Sequence, residues 1–243
     1  MTQEQMIQLR QDLAAAYRLA AMLGWEDTLY THFSVRLPTK EPRFLINPFG
    51  LMFDEVCASD LIIVDMQGHV VEGHSEYNLA GFTIHSAVHM ARSDTHCVMH
   101  THTIAGMAVA ACDDGLCMLN QTSAEFFERV GYHSYEGIAW DLDERQRIQQ
   151  SLGNHIALVL KHHGLLSVGA TVADAFQIMY YLNKACEIQL AAGQMASLST
   201  ISPMSSKLAA HACEQFKKAE HERQLVWQAW RRKLDRFDPS YKN

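Results

Sequence analysis

Hydrophobic and polar positions follow two different periods along this chain. Between Gln3 and Leu23 the apolar residues Met6, Leu9, Leu13, Tyr17 and Ala20 return every three or four positions, and Gly24 closes the run. That spacing predicts an amphipathic helix with glycine just beyond its end. Shorter runs of strand character follow: Leu29 to Leu37, Arg43 to Ile46, and LIIVDMQGHVVEG, which reads as a hairpin turning near Met66-Gln67-Gly68. Leu79 to Arg92 returns to helical spacing, and CVMHTH beyond it is short and apolar enough for a buried strand.

The alternation continues through the second half. Asp143 to Leu152 is a polar helix stopped by Gly153, and IALVLK is a buried strand running into His162-His163-Gly164. The glycine is expected to make a tight turn there before LLSVG resumes as strand. Thr171 to Gln194 reads as a long helix opened by the capping pattern Thr171-x-x-Asp174. Ser197 to Ser205 (SLSTISPMS) is the one linker-like stretch, and a charged helix with Trp227, Trp230 and Leu234 on one stripe follows it. Strands alternating with helices, without repeats or low-complexity tracts, predict an α/β fold with a sheet covered by helices on both faces. Residues 1–200 make the expected domain, and 201–243 a C-terminal helical extension.

Composition removes several function classes. The charge of −7 comes from 27 acidic against 20 basic residues, and the few basic clusters lie in one C-terminal segment. A nucleic-acid partner is therefore not expected. Met1 to Arg10 lacks a basic-then-apolar signal pattern, and no apolar run approaches the ~18 residues that span a bilayer. The expectation is a cytoplasmic protein without a membrane partner. The six cysteines form no CxxC pair and sit mostly in apolar runs, which suits reduced core thiols better than disulfides or a thiolate zinc site.

Metal ligands must then come from the 14 histidines. His96 to Gly106 reads HCVMHTHTIAG, and in an extended chain His100 and His102 project to the same side. Polar residues at alternate positions ending an apolar strand are costly to bury unless something binds there. His162-His163-Gly164 repeats the arrangement at the end of a second buried strand. Three neutral imidazoles converging from two strand ends match a catalytic divalent-metal site with a position left open for water or substrate. His85 and His89 are four apart on one helix, but Ser86 follows His85, so HExxH is absent and the pair is read as a helix face near the pocket. His69, His74, His133, His155, His211 and His221 have no partner at ligand spacing and receive no role.

VMHTHTIAG, ALVLKHHGLLSVG some sixty residues later, and the helix TVADAFQIMYYLNKACEIQ together resemble the class II aldolase and adducin head-domain family. The resemblance covers roughly Leu9 to Ala196, and FSVR and NPFG are similar to two further family segments. It implies a three-layer α/β/α sandwich with a central mixed, largely antiparallel sheet, and a homo-oligomer, usually a tetramer with active sites between subunits. It assigns the metal to His100, His102 and His163, with zinc as first choice and manganese or iron as alternatives.

The departures from the aldolase pattern are as informative as the matches. Sugar-phosphate aldolases of the family carry Ser-Ser-Glu before the HxH motif, the glutamate serving as acid/base. Gap-free alignment on His85 puts Leu79-Ala80-Gly81 there, and Glu76 lies five residues upstream of Gly81 as a substitute catalytic carboxylate. The GNVS phosphate loop is Thr31-His32-Phe33-Ser34, the TPTG loop is Asn47-Pro48-Phe49-Gly50, and a tyrosine sent into the neighbouring subunit's site aligns near Gln121. Phosphate recognition and proton transfer are altered; the ligand histidines are not. Three readings follow. The first is a lyase in which the metal polarises a carbonyl during retro-aldol cleavage or decarboxylation of a small non-phosphorylated oxo- or hydroxy-acid. In it His32, Asn47 and Gly50 bind substrate, and Glu76 or His32 handles protons. The others are a non-haem iron oxygenase and a non-catalytic, adducin-like interaction module.

Overall fold

A computed structural model describes residues 1–243. Its first helix, α1 (Gln3–Met22), starts from a Thr2 cap, and Gly24 takes φ +69 just past its end, as its position predicts. The strands β1 (His32–Arg36), β2 (Arg43–Ile46), β3 (Ile62–Asp65) and β4 (Val70–Glu72) then pair antiparallel in sequence order. The hairpin turns at Gly68, with φ +95, where Asp65 Oδ1 accepts from the Gln67 and His69 amides. α2 (Leu79–Ala91) leads into β5 (Cys97–Thr101), which pairs antiparallel with β1. Sequence patterning missed the next elements: α3 (Ile104–Ala110), α4 (Gln121–Ala124) and β6 (Val130–His133). α5 (Glu144–Leu152), β7 (Ala157–Leu160), β8 (Gly164–Gly169) and α6 (Val172–Met195) fall where the pattern placed them.

The eight strands form one sheet ordered β4-β3-β2-β1-β5-β8-β7-β6, and only β6 and β7 are parallel. Alternation along the strands divides the core between two faces. Phe33, Val35, Cys97, Met99 and Val159 pack with α1, α3 and α6, whereas Val98, Leu158, Leu160, Leu166 and Val168 pack with α2 and α5. This is the three-layer α/β/α sandwich with a largely antiparallel mixed sheet.

The C-terminal segment folds as two helices, α7 (Ser206–Lys218) and α8 (Arg223–Phe237). Trp227 and Leu234 are buried within the same core as α1 and α6, and Trp230 packs partly buried against Tyr180 and Phe176. The apolar stripe is thus covered within the chain. Arg223 of α8 is buried and pairs with Glu125 at 3.0 Å, and Tyr241 near the end is buried too, its carbonyl accepting from the Ala58 amide. All six cysteines are free; Cys97, Cys186 and Cys213 are buried and Cys112 is exposed.

One local expectation is corrected. Gly164 does not supply the turn after β7; His162 does, at φ +57, while Gly164 is already in register with Leu160 as strand. Glycine is required at 164 for a different reason. A Cβ there would lie 2.4 Å from the Thr101 carbonyl oxygen, so its absence lets β8 close onto the end of β5.

Candidate metal centre

Extended backbone through β5 sends His100 and His102 to the α2 side of the sheet, and the close approach of β8 brings in His163. His100 Nδ1 lies 2.9 Å from the Leu165 carbonyl oxygen. A carbonyl only accepts, so Nδ1 carries the proton and Nε2 the lone pair. His102 Nδ1 donates likewise to Asp27 Oδ2 at 2.8 Å, which turns Nε2 toward His100. Fixing the metal-binding tautomer through the other ring nitrogen is the usual device of metal sites.

The two Nε2 atoms are 2.8 Å apart. Both are potential metal-donor atoms. The His163 ring centroid is 4.7 Å from that of His100 and 4.8 Å from that of His102, and one ligand atom from each of the three residues falls within 4.8 Å of the others. A tetrahedral ion with nitrogen bonds of about 2.0–2.1 Å sets its ligands about 3.3 Å apart, a spacing that lies between the 2.8 Å of the His100–His102 pair and the 4.8 Å bound on the cluster, and three imidazoles are a divalent-metal donor set. Burial, then the adjacent His102 and His133, hold His163 down to about 4. Burial, then His102, His163 and His32, push His100 well below its usual value. Both are neutral near pH 7, the state that binds metal. His162 is exposed, its amide donates to the Ala110 carbonyl, and it stands outside the cluster.

His32 sits directly across from His100 in the β1–β5 register, with the ring centroids 5.0 Å apart. A Cβ added at Gly81 would lie 2.6 Å from its Cδ2 and 2.9 Å from its Nε2. The imidazole therefore fills the space that a side chain at 81 would occupy, the position where the aldolase pattern has glutamate. Burial first, then His102 and His163, lower His32 to about 3. Behind it, His32 Nδ1 contacts His85 Nε2 at 2.8 Å, and Ser34 Oγ bridges His85 Nδ1 and His89 Nε2. His85 and His89 are fully buried, facing the sheet beneath α2.

The other candidates are more peripheral. Asn47 is buried at the end of β2, its Oδ1 2.8 Å from the Tyr17 hydroxyl and its Nδ2 donating to the Pro48 carbonyl. Gly50 takes φ +110 in the following exposed turn. The Glu76 carbonyl accepts from the Phe49 amide at 2.7 Å, tying its segment to the Asn47–Gly50 loop, while its side chain is exposed and makes no hydrogen bond or ion pair. Sequence reading missed two groups. Asp27 follows α1 in a segment with no ligand motif, and only tertiary folding brings it to His102. His133 is buried behind His163, bonded to Ser151 Oγ at 3.1 Å and paired with Glu144 at 3.2 Å.

A strand-end histidine cluster on an α/β/α sandwich defines a class of metal-centred domains, and sequence comparison gives the family. Residues 11–190 match the profile of the Class II Aldolase and Adducin N-terminal domain. The chain belongs to this family. An aldolase II superfamily protein from Pseudomonas syringae superposes with a TM-score of 0.91 at 44% identity, covering 100% of this chain and 98% of that one. An L-fuculose 1-phosphate aldolase from Glaciozyma antarctica PI12 has a TM-score of 0.85 at 29% identity, covering 98% and 93% respectively. Alpha-adducin of Rattus norvegicus is 45% identical over 186 residues, 75% of this chain but 25% of the adducin. No helix is long and apolar enough to cross a membrane.

Proposed function

We propose that this protein is a divalent-metal-dependent lyase, performing retro-aldol cleavage or decarboxylation on a small non-phosphorylated oxo- or hydroxy-acid. The observation that carries the reading is the convergence of His100, His102 and His163, with the Nε2 atoms of the first two facing each other and each ring held by a partner at Nδ1. A metal bound there, zinc in the first instance, supplies a Lewis acid for a carbonyl oxygen and for the charge that develops as the C–C bond breaks. Iron chemistry of the facial-triad kind is less favoured because the cluster contains no carboxylate; Asp27 is engaged at Nδ1 of His102.

His32 is the group placed to move a proton at the centre: it neighbours His100 and stands in the room left by Gly81. Glu76 serves as the alternative carboxylate at the rim beside the Asn47–Gly50 loop. That loop receives the acid group of the substrate, with the second Nδ2 hydrogen of Asn47 and the backbone around Gly50 as donors. A phosphate is disfavoured. Leu79, Ala80 and Gly81 offer no hydroxyl, and Ser34 Oγ is occupied by His85 and His89. In this reading the protein is a cytoplasmic homotetramer, with exposed apolar residues such as Ile104 and Leu198, each 79% exposed, as material for subunit contacts.

The test is a panel of oxo- and hydroxy-acids beside fuculose, rhamnulose and ribulose phosphates, assayed with zinc-, manganese- and iron-loaded protein. Cleavage of an acid with none of the phosphates supports the proposal. Turnover of a sugar phosphate at rates in the usual enzymatic range of about 1–1,000 per second overturns the substrate class. The 45% identity to alpha-adducin favours one second reading, an interaction module. Metal binding without turnover of any panel member would support it.

A further inference from the structure

At the end of the sheet away from the metal centre lies a cavity of about 270 Å3 that the proposed reaction does not use. Thr95 and Gly169 border it, and Gly169 pairs with Cys97 at the start of β5, whereas His100 and His102 stand at that strand's other end. Three to five residues of extended chain, about 10–17 Å, separate the two places.

Six charged side chains surround the cavity: Arg92, Arg129 and Arg223 against Asp94, Asp174 and Glu220. Most of their capacity is spent within the protein. Arg92 grips Asp94 through two contacts, at 3.0 and 2.6 Å, and also donates to the His155 carbonyl at 2.7 Å. Glu220 Oε1 accepts from Arg129 at 2.7 Å and stands 3.3 Å from Arg223 Nη2, which donates to the buried Glu125 at 3.0 Å. What is left over is specific. Arg223 is only 7% exposed, yet its Nη1 makes no hydrogen bond, and Asp174 Oδ1 stands 3.8 Å from it. Asp174 Oδ2 is held by Thr171 Oγ1 at 2.6 Å, while Oδ1 accepts from no donor. The Thr95 hydroxyl makes no hydrogen bond within the protein although the residue is 1% exposed, and it is not sealed off, since it borders the cavity. Polar atoms held this deep without partners are unfavourable unless something in the cavity pairs with them.

The charge pattern selects what that is. With three cations and three anions around it, the cavity has no surplus charge to hold a simple anion or a simple cation, and either would sit against like charge. A ligand carrying both charges meets both sets. Its carboxylate accepts from Arg223 Nη1 and the Thr95 hydroxyl, and its ammonium donates to Asp174 Oδ1 and to the free Oε2 of Glu220. Ile156, Val168 and Ile178 make the rest of the wall apolar, and the volume falls just under the about 300–1,000 Å3 of drug-sized sites. We propose that this cavity is a binding site for a small zwitterion, an α-amino acid with a short aliphatic side chain, separate from the metal centre.

Calorimetric titration of the metal-loaded full chain with alanine, valine, propionate and isopropylamine tests the assignment. The expected result is a Kd of about 0.1–1 mM for alanine or valine, with propionate and isopropylamine at least about tenfold weaker. Asp174→Asn keeps a partner for Thr171 and removes the charge that meets the ammonium, so it should weaken amino-acid binding at least about tenfold while the metal content stays at the wild-type level. Thr95→Val keeps the shape without the hydroxyl and repeats the test should Asp174→Asn fold poorly. Absence of binding by both amino acids, propionate binding as tightly as alanine, or wild-type affinity in the folded variant overturns the proposal. The titration needs no turnover, so its outcome does not depend on the lyase reading.

Discussion

Asp27 offers a quantitative handle on the metal centre because it touches no ligand position yet fixes one ligand's tautomer. Its Oδ2 accepts from His102 Nδ1 at 2.8 Å, and its side chain is 47% exposed against 14% for His102. Removing an outer carboxylate from a ligating histidine costs about 10–100-fold in metal affinity, or about 1.4–2.8 kcal/mol. Two substitutions divide that range. Asp27→Asn keeps an oxygen to accept the Nδ1 proton and loses only the charge, whose effect is weakened by solvent at a half-exposed site; about tenfold is expected. Asp27→Ala also leaves Nδ1 without an acceptor, so the ring can protonate Nε2 and leave the ligand set; this points to the upper end, about 100-fold. Competition with a chromophoric zinc chelator at fixed pH measures both. Raising the salt from 0.05 to 0.5 M should shrink the Asn effect more than the Ala effect, because only the former is purely electrostatic. An Asp27→Ala protein that binds zinc within twofold of wild type would refute the reasoning.

Three further outcomes are expected. Gly81→Ala pushes a methyl group into the His32 ring, so stability should fall by about 1–3 kcal/mol in urea titration and turnover should fall with it; a neutral substitution would mean that His32 does not occupy that space. His163→Ala should lose the metal whereas His162→Ala retains it, by elemental analysis, and His162→Gly should be at least as stable as wild type because position 162 has φ +57. Acid should destabilise the fold: His32 and His89 are held near 3 and His85 well below its usual value, each primarily by burial. Unfolded, each takes a proton near 6.5, so stability is complete above about pH 6.5 and falls as pH drops toward about 3, by up to about 1.4 kcal/mol per pH unit for each ring. Urea midpoints of metal-free protein from pH 7 to 4.5 should show this slope, and His89→Phe should reduce it by about one ring's share; a flat profile would contradict the buried neutral histidines.

Most of the fold was legible because its elements carry local signals. The capping pattern at Thr171, the glycine after α1 and the helical period from Leu79 mark boundaries that packing then respects. The clustering of the histidines was legible for the same reason, since a strand's two-residue period alone puts His100 and His102 on one side. What escaped depends on distant pairing. β6 is only four residues long with a mixed burial pattern, and its parallel partner β7 lies beyond α5, so its sequence carries little periodicity. Asp27 meets His102 across 75 positions and His32 meets His85 across 53. The helix pair His85 and His89 was visible as a spacing, and so was His32 with Ser34 on a strand; that the two spacings interlock is a fact of how α2 lies on the sheet.

The central claim, one divalent metal held by His100, His102 and His163, is tested most directly by anomalous diffraction at the zinc edge on crystals of tag-free protein. The account predicts a single strong peak about 2.0–2.1 Å from Nε2 of His100, Nε2 of His102 and one ring nitrogen of His163, and no such peak in His163→Ala. Absence of a peak between these rings in zinc-soaked wild-type crystals, or a peak bonded to other residues, would contradict it.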